Sequence, residues 1–90
     1  MAVIVFIPQQ LQKLTGGKDA IEVLPGTILD IVKEIEKQFP GFSERITKEG
    51  KLSKFVNFYV NEEDIRFLKG DETTTKDGSV VSIVPALAGG

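Results

Sequence analysis

The sequence predicts an α+β domain in which one main helix packs on one face of a mixed β-sheet. Three observations predict it: β-branched runs near both ends of the chain, one amphipathic segment between them, and an alternating aromatic segment in the second half. Ninety residues with 41% hydrophobic content can form one core without disulfides or a structural metal. We therefore expect a single folded domain over residues 1–84 and a flexible tail over residues 85–90.

The first elements are two short strands. Val3–Ile7 is a β-branched run ended by Pro8, and Ala20–Leu24 is a second apolar run. The segment "TGG", Thr15–Gly17, lies between them and lacks the spacing and the lysine of a phosphate-binding loop. It therefore predicts a connecting loop, and the two strands predict a hairpin.

The helix is predicted by its cap, its spacing and its stop signal. Thr27 is suited to the N-cap, and Asp30 stands three residues later as in a capping box. Pro40 and Gly41 end the segment. Its apolar side chains recur every three or four residues, which predicts a core-facing stripe. They are Ile28, Ile31, Val32, Ile35 and Phe39.

The second half predicts three further strands. After a charged irregular stretch, Ser43–Lys54, the segment "KFVNFYVN" alternates two sets of side chains. Asn57 is polar, so its set is expected to face outward. The outward set is Phe55, Asn57 and Tyr59, and the inward set is Val56, Phe58 and Val60. Ile65–Phe67 is predicted to return as a short strand, and Ser79–Val84 is predicted to be the last strand.

Composition excludes several classes of function. The chain has no Cys, no His and no Trp, so thiol nucleophiles, histidine bases and the usual zinc ligands are absent. Its 11 basic and 13 acidic residues give a net charge of −2, which favours neither nucleic acid nor an anionic membrane as a partner. The opening "AVIVFI" is too short for a signal peptide or a membrane span. A cytoplasmic protein is expected.

The acidic turn "NEED", Asn61–Asp64, is the one cluster that could gather a hard cation. It lacks the spaced oxygen ligands and the glycine of a calcium loop. We therefore expect a solvated turn, no metal site and no bound cofactor.

Several segments together resemble one family. They are "VIVFIP", "TGG", "FSERI", "FVNFYVNEEDIRF" and the terminal "PALAGG". With the predicted order of elements, they are similar to the ubiquitin-like, β-grasp sulfur carriers of the ThiS, MoaD and CysO family, and most similar to the CysO branch. The resemblance covers nearly the whole chain. "AGG" is common to all branches, whereas the long "FVNFYVNEEDIRF" block is more specific.

The resemblance implies a carrier acted on by other enzymes, and not an enzyme. A terminal carboxylate is an anion at neutral pH and a poor electrophile, so it needs activation. In the family, an E1-like adenylating enzyme uses ATP and Mg to convert it to an acyl-adenylate, and a sulfur donor then gives a thiocarboxylate. Gly90 would be the reacting residue, and Gly89, Ala88 and Leu87 would pass through the partner's cleft, since small residues leave it unobstructed.

The CysO branch further implies a role in cysteine biosynthesis. There, the thiocarboxylate attacks an activated serine derivative held by a PLP-dependent cysteine synthase, and a JAMM-type metalloprotease releases the product. The partner-binding surface is predicted from strand alternation and from the tail. It comprises Phe55, Tyr59 and Val84, with Leu87 as an apolar anchor in the partner's groove.

Three other functions remain open from the sequence. A MoaD-like subunit would insert its tail into the large subunit of molybdopterin synthase. A ubiquitin-like modifier would join Gly90 to target lysines. A plain interaction module would have inert glycines, so deleting Gly89 and Gly90 would leave its activity intact.

Overall fold

The computed structural model describes residues 2–53 and 55–85. These residues form a five-stranded sheet, two α-helices, a small two-stranded hairpin and three short 3-10 helices. The strands are β1 Val3–Phe6, β2 Ala20–Val23, β3 Thr47–Lys48, β4 Lys51–Leu52, β5 Val56–Val60, β6 Glu63–Asp64 and β7 Val80–Pro85. The α-helices are α1 Ile28–Gln38 and α2 Phe42–Ile46, and the 3-10 helices are Gln9–Thr15, Ile65–Phe67 and Gly70–Glu72.

The main sheet is mixed, with the strand order β2-β1-β7-β5-β6. β1 and β2 form the predicted hairpin, with Val3 opposite Val23 and Phe6 opposite Ala20. β7 enters the centre of the sheet, where it runs parallel to β1 and antiparallel to β5. The first and last strands of the chain are thus neighbours, and the predicted β-grasp arrangement is confirmed.

Helix α1 starts where its cap predicts. The hydroxyl of Thr27 accepts a hydrogen bond from the Asp30 backbone N–H, and Asp30 Oδ2 accepts one from the Thr27 N–H, both at 3.1 Å. This reciprocal box satisfies two of the N–H groups that a helix start leaves unpaired. Gly41, at φ 99°, follows the helix as part of its stop signal.

One core lies between α1 and the face of the sheet turned toward it, which we call the closed face. The predicted helical stripe is buried apart from Phe39, which is partly buried against the cluster. The strands contribute Val3, Val5, Ile21, Val23, Phe58, Val60, Val81 and Ile83. Phe42 and Ile46 of α2 and Ile65 complete the cluster.

The stretch predicted as irregular, Ser43–Lys54, is in large part regular. Helix α2 runs into the β3–β4 hairpin, where Thr47 pairs with Leu52. Glu36 of α1 stabilises the start of α2, because its carboxylate accepts hydrogen bonds from the backbone N–H groups of Gly41 and Ser43. Elements of five and two residues are too short to show a hydrophobic period, and the segment is rich in charged side chains. The sequence pattern therefore does not reveal them.

The prediction of a strand at Ile65–Phe67 is wrong. Asn61 and Glu62 both have positive φ, 49° and 73°, as in a two-residue hairpin turn, so β6 begins at Glu63, opposite Val60. After Asp64, the chain turns into a 3-10 helix that buries Ile65. The segment Gln9–Thr15, predicted as part of a loop, is also a 3-10 helix.

Candidate docking surface and reactive tail

The described chain ends inside a strand. β7 continues through Pro85, which lies opposite Val56 of β5, one residue beyond the predicted domain boundary at residue 84. The predicted tail residues, Leu87, Ala88, Gly89 and Gly90, lie outside the described residues. Because β7 is paired on both sides, the position from which the tail departs is fixed at the Val56 end of β5.

The predicted outward set does lie on the side of the sheet opposite the core, which we call the open face. Val84 is opposite Asn57, and Asn57 stands between Phe55 and Tyr59 along the chain. Phe55 is 51% exposed and Val84 is 40% exposed, whereas Phe58, which lies opposite Ile83, is fully buried. The strand register confirms the outward orientation of Tyr59 and Val84, and Phe55 is exposed just before β5. The role of all three residues in partner binding stays a prediction.

The open face carries more apolar surface than the sequence reading assigned to it. Phe6 of β1 is 47% exposed and lies opposite Ser82, and Ser82 in turn lies opposite Tyr59. Val80 is 36% exposed beside Ile4. Alternation with the buried Val3 and Val5 places Phe6 on the outward side of β1, but its position beside Ser82 depends on the order of the strands. We define the open-face patch as Phe6, Phe55, Tyr59, Val80 and Val84.

A shallow depression lies within this surface. It has a volume of about 470 Å³ and is lined by Phe6, Asn61, Glu62, Val80 and Ser82. The Asn61 side chain accepts a hydrogen bond from the Val80 N–H at 2.9 Å, which fixes the β5–β6 turn against β7. The turn predicted to be solvated therefore has a structural role as well.

An ion pair lies at the rim of the patch beside Tyr59. Asp64 is opposite Tyr59, and its carboxylate accepts hydrogen bonds from Arg66 Nε and Nη2, the shortest at 2.7 Å, and from the Arg66 backbone N–H. The hydrogen bonds from the Arg66 side chain, and then that from its backbone, lower the pKa of Asp64. The side-chain hydrogen bonds to Asp64, and then the negative charge of Asp64, raise the pKa of Arg66. A guanidinium that is 66% exposed is thus held at a defined position.

The acidic turn and the "TGG" loop are the two segments considered in the sequence for metal or phosphate binding. Within residues 2–53 and 55–85, no cluster of three acidic side chains could hold a metal ion. The "TGG" loop has a structural role: the Thr15 hydroxyl bonds to the carbonyls of Gln12 and Lys18, and Gly16 and Gly17 both have positive φ. None of the described helices has the length and apolarity to cross a bilayer.

Comparison with known proteins matches the chain over its full length. The sulfur carrier protein CysO of Mycobacterium tuberculosis is 42% identical, with 100% of both chains covered. The crystal structure of the Amycolatopsis orientalis BexX/CysO complex contains a chain with 45% identity and a TM-score of 0.92, which covers 99% of this chain and 100% of that one. The small archaeal modifier protein 3 of Haloferax volcanii is 31% identical over 71% of this chain and 70% of its own.

The family model that matches is that of the ThiS family, and it spans residues 5–90, including both terminal glycines. The matched range contains every strand of the main sheet except the first two residues of β1. The β-grasp architecture, the open apolar face and the Gly-Gly ending therefore occur together in one aligned unit, and the chain belongs to the ThiS family.

Proposed function

We propose that this protein is a sulfur carrier whose Gly90 carboxylate is adenylated and then converted to a thiocarboxylate. The observation that carries the proposal is the full-length similarity to a protein named as a sulfur carrier, in a family match that extends to Gly90. The fold supports it, because β7, from which the last residues of the chain follow, ends beside the exposed Val84 of the open-face patch.

The proposed reaction has two steps, both on a partner enzyme. The Gly90 carboxylate attacks ATP, with Mg, on an E1-like enzyme and gives the acyl-adenylate and pyrophosphate. A sulfide-level donor then displaces AMP, and the sulfur remains on the terminal carbonyl. The main chain thus carries the sulfur, so the protein needs no cysteine.

The open-face patch is proposed to dock the partner. Ordering a tail on binding costs about 1 to 2 kcal/mol per residue, so the folded body must supply compensating contacts. Phe55, Tyr59 and Val84 lie around Asn57, near the point where the chain leaves β7. An apolar surface there allows one partner to hold the body and receive the tail.

The CysO similarity favours cysteine biosynthesis as the destination of the sulfur. On this proposal, a PLP-dependent cysteine synthase accepts the thiocarboxylate, a JAMM-type metalloprotease releases the cysteine, and all partners share the cytoplasm with the carrier. A MoaD-like role would instead appear as stable co-purification with a molybdopterin synthase large subunit.

The test is intact-mass spectrometry of the chain before and after incubation with ATP, magnesium, sulfide and the E1-like enzyme of the same cell. We expect a mass increase equal to the replacement of one oxygen by sulfur. The control is a chain that lacks Gly90, which should not shift. Absence of any shift with an activating enzyme that is active on another carrier, repeated for every such enzyme in the cell, would overturn the proposal.

A second candidate function is protein modification. It is favoured by the similarity to the small archaeal modifier protein 3. The distinguishing result is an isopeptide between Gly90 and a target lysine, found by mass spectrometry of cell proteins and lost with the chain that lacks Gly90.

A further inference from the structure

One edge of β5 is only partly covered. β6 is two residues long and pairs with Tyr59 and Val60 alone. Within the part of the chain that the structure describes, no strand pairs with Val56–Phe58 on this side. A sheet edge of this kind offers backbone donors and acceptors to another extended segment.

The hydrogen-bond pattern shows which backbone groups face this edge. The Asn61 N–H donates to the Val80 carbonyl at 2.8 Å. Because antiparallel bonds alternate along a strand, Tyr59 and Asn57 also direct their backbone groups toward β7, and Phe58 and Val56 direct theirs away from it. The Val56 N–H is taken by the Ser53 carbonyl at 3.3 Å. The Val56 carbonyl and the Phe58 N–H therefore face the open edge, whereas the Phe58 carbonyl faces the Ile65 N–H next to the Tyr59–Asp64 pair.

A groove of about 430 Å³ runs along this edge. One wall is Lys51–Ser53, and the other includes Ile65, Arg66 and Asp71. Leu52, Val56 and Ile65 supply apolar contacts. The four charged lining residues, Lys51, Asp64, Arg66 and Asp71, sum to zero, and two of them are paired with each other. The groove therefore suits an extended segment with apolar and uncharged side chains.

We propose that this groove accepts an extended, uncharged segment of the activating enzyme as an added strand beside Val56–Phe58. This inference rests on the proposed function. Main-chain hydrogen bonds would give affinity, and side chains alternating into the groove would give selectivity. The groove is continuous with the open-face patch, because Asn57 lines the groove and lies between Phe55 and Tyr59.

The chain's own tail is a less suitable occupant. Pro85 lies on the β7 side of β5, and the groove lies on the other side. The turn at Ser53, which accepts hydrogen bonds from the N–H groups of Phe55 and Val56, stands at the end of β5 that the tail would have to pass. A segment of the docked enzyme meets no such obstacle.

The direct test is amide hydrogen exchange, measured by NMR on the full chain alone and in complex with the E1-like enzyme, without ATP. We expect the Phe58 amide to exchange faster than the Tyr59 amide in the free chain, and to slow at least tenfold in the complex. The Tyr59 amide, bonded to β7, is the internal control and should be slow in both. A Phe58 amide that does not slow in the complex would overturn the inference.

Occupation of the groove by the chain's own tail would give a different pattern of amide exchange. A Phe58 amide that is already slow in the free chain, and fast in a chain ending at residue 85, would show that the tail itself fills the groove. That result also contradicts the inference. Neither result bears on the mass shift at Gly90, so failure of this inference and failure of the carrier function remain distinguishable.

A matched pair of variants tests selectivity. Leu52→Glu places a charge in the groove, and Leu24→Glu places the same charge at a 64% exposed site outside the groove and the patch. We expect Leu52→Glu to weaken binding to the activating enzyme at least tenfold and Leu24→Glu to leave it unchanged. Unchanged binding by a folded Leu52→Glu protein would contradict the inference, and the exchange experiment stands if that variant does not fold.

Discussion

The two faces of the sheet differ in what their side chains do for the fold. On β5, Phe58 is fully buried on the closed face, whereas Phe55, just before the same strand, is 51% exposed. On β7, Val81 and Ile83 are buried, and Val80 and Val84 remain at least one third exposed. Burial stabilises the first set, whereas each side chain of the second set keeps a third or more of its surface exposed. The open-face patch is thus the surface that we propose to dock the partner.

The largest expected loss of stability comes from truncating a buried side chain of the closed face. Phe58→Ala should lower the free energy of unfolding by about 3 to 5 kcal/mol, because it removes a fully buried aromatic ring and leaves a cavity. Tyr59→Ala, one residue along on the open face, should cost about 1 kcal/mol or less. Urea unfolding of both variants measures the difference. Equal losses would mean that the two faces contribute equally to stability.

The second prediction concerns exposed apolar side chains of the open face and binding to the activating enzyme. Phe55→Ala and Val84→Ala should each weaken binding to the activating enzyme about tenfold, since they truncate exposed apolar contacts. Their unfolding midpoints should stay close to wild type. Leu24→Ala, exposed at the end of β2, is the control and should bind normally. Calorimetric titration checks affinity, and normal binding by both patch variants would remove the proposed role of this surface.

A smaller loss of stability is expected from removing the N-terminal cap of α1, the helix that covers the closed face. Thr27→Ala removes the hydroxyl that accepts the Asp30 N–H and should lower stability by about 1 kcal/mol. Thr27→Ser keeps the acceptor and serves as the control. Thermal unfolding of the three proteins measures the loss, and a Thr27→Ser protein as unstable as Thr27→Ala would show that the methyl group, not the cap, matters.

The smallest effect depends on pH. Hydrogen bonds from Arg66 lower the pKa of Asp64 in the folded protein. Asp64 therefore contributes stability above its unfolded pKa, which is about 3.9, and that contribution is lost as pH falls through the lower folded value. Asp64→Asn should be less stable than wild type at pH 7, and the gap should close toward pH 2. Melting temperatures across this range test it, and a gap independent of pH would exclude the ionised carboxylate as its cause.

The sequence predicts the elements that have a repeating hydrophobic pattern or a helix cap formed by neighbouring residues. Thr27 and Asp30 mark the helix start, and the alternation around Phe58 assigns both faces of β5, because these signals depend only on neighbouring residues. The sequence prediction failed at β6, where two residues pair and the chain then turns at Asp64. A two-residue strand has no period, and its end is set by contacts with Arg66 and by burial of Ile65.

The candidate site was predicted in part for the same reason. Phe55, Tyr59 and Val84 follow from alternation within single segments. Alternation gives the outward side of Phe6 on β1, but its neighbourhood to the other three follows from the insertion of β7 between β1 and β5, which is a property of the tertiary fold. The uncovered edge at Phe58 was equally hidden from the sequence, since it depends on how early β6 ends.

The central position of β7 has a mechanical consequence. The tail continues directly from the strand that is hydrogen-bonded to both β1 and β5. A pull on residues 86–90 along the strand would load both ladders in shear, so that several hydrogen bonds would have to break together. On the proposed function, a partner that draws in the chain end would therefore leave the body of the domain in its folded shape.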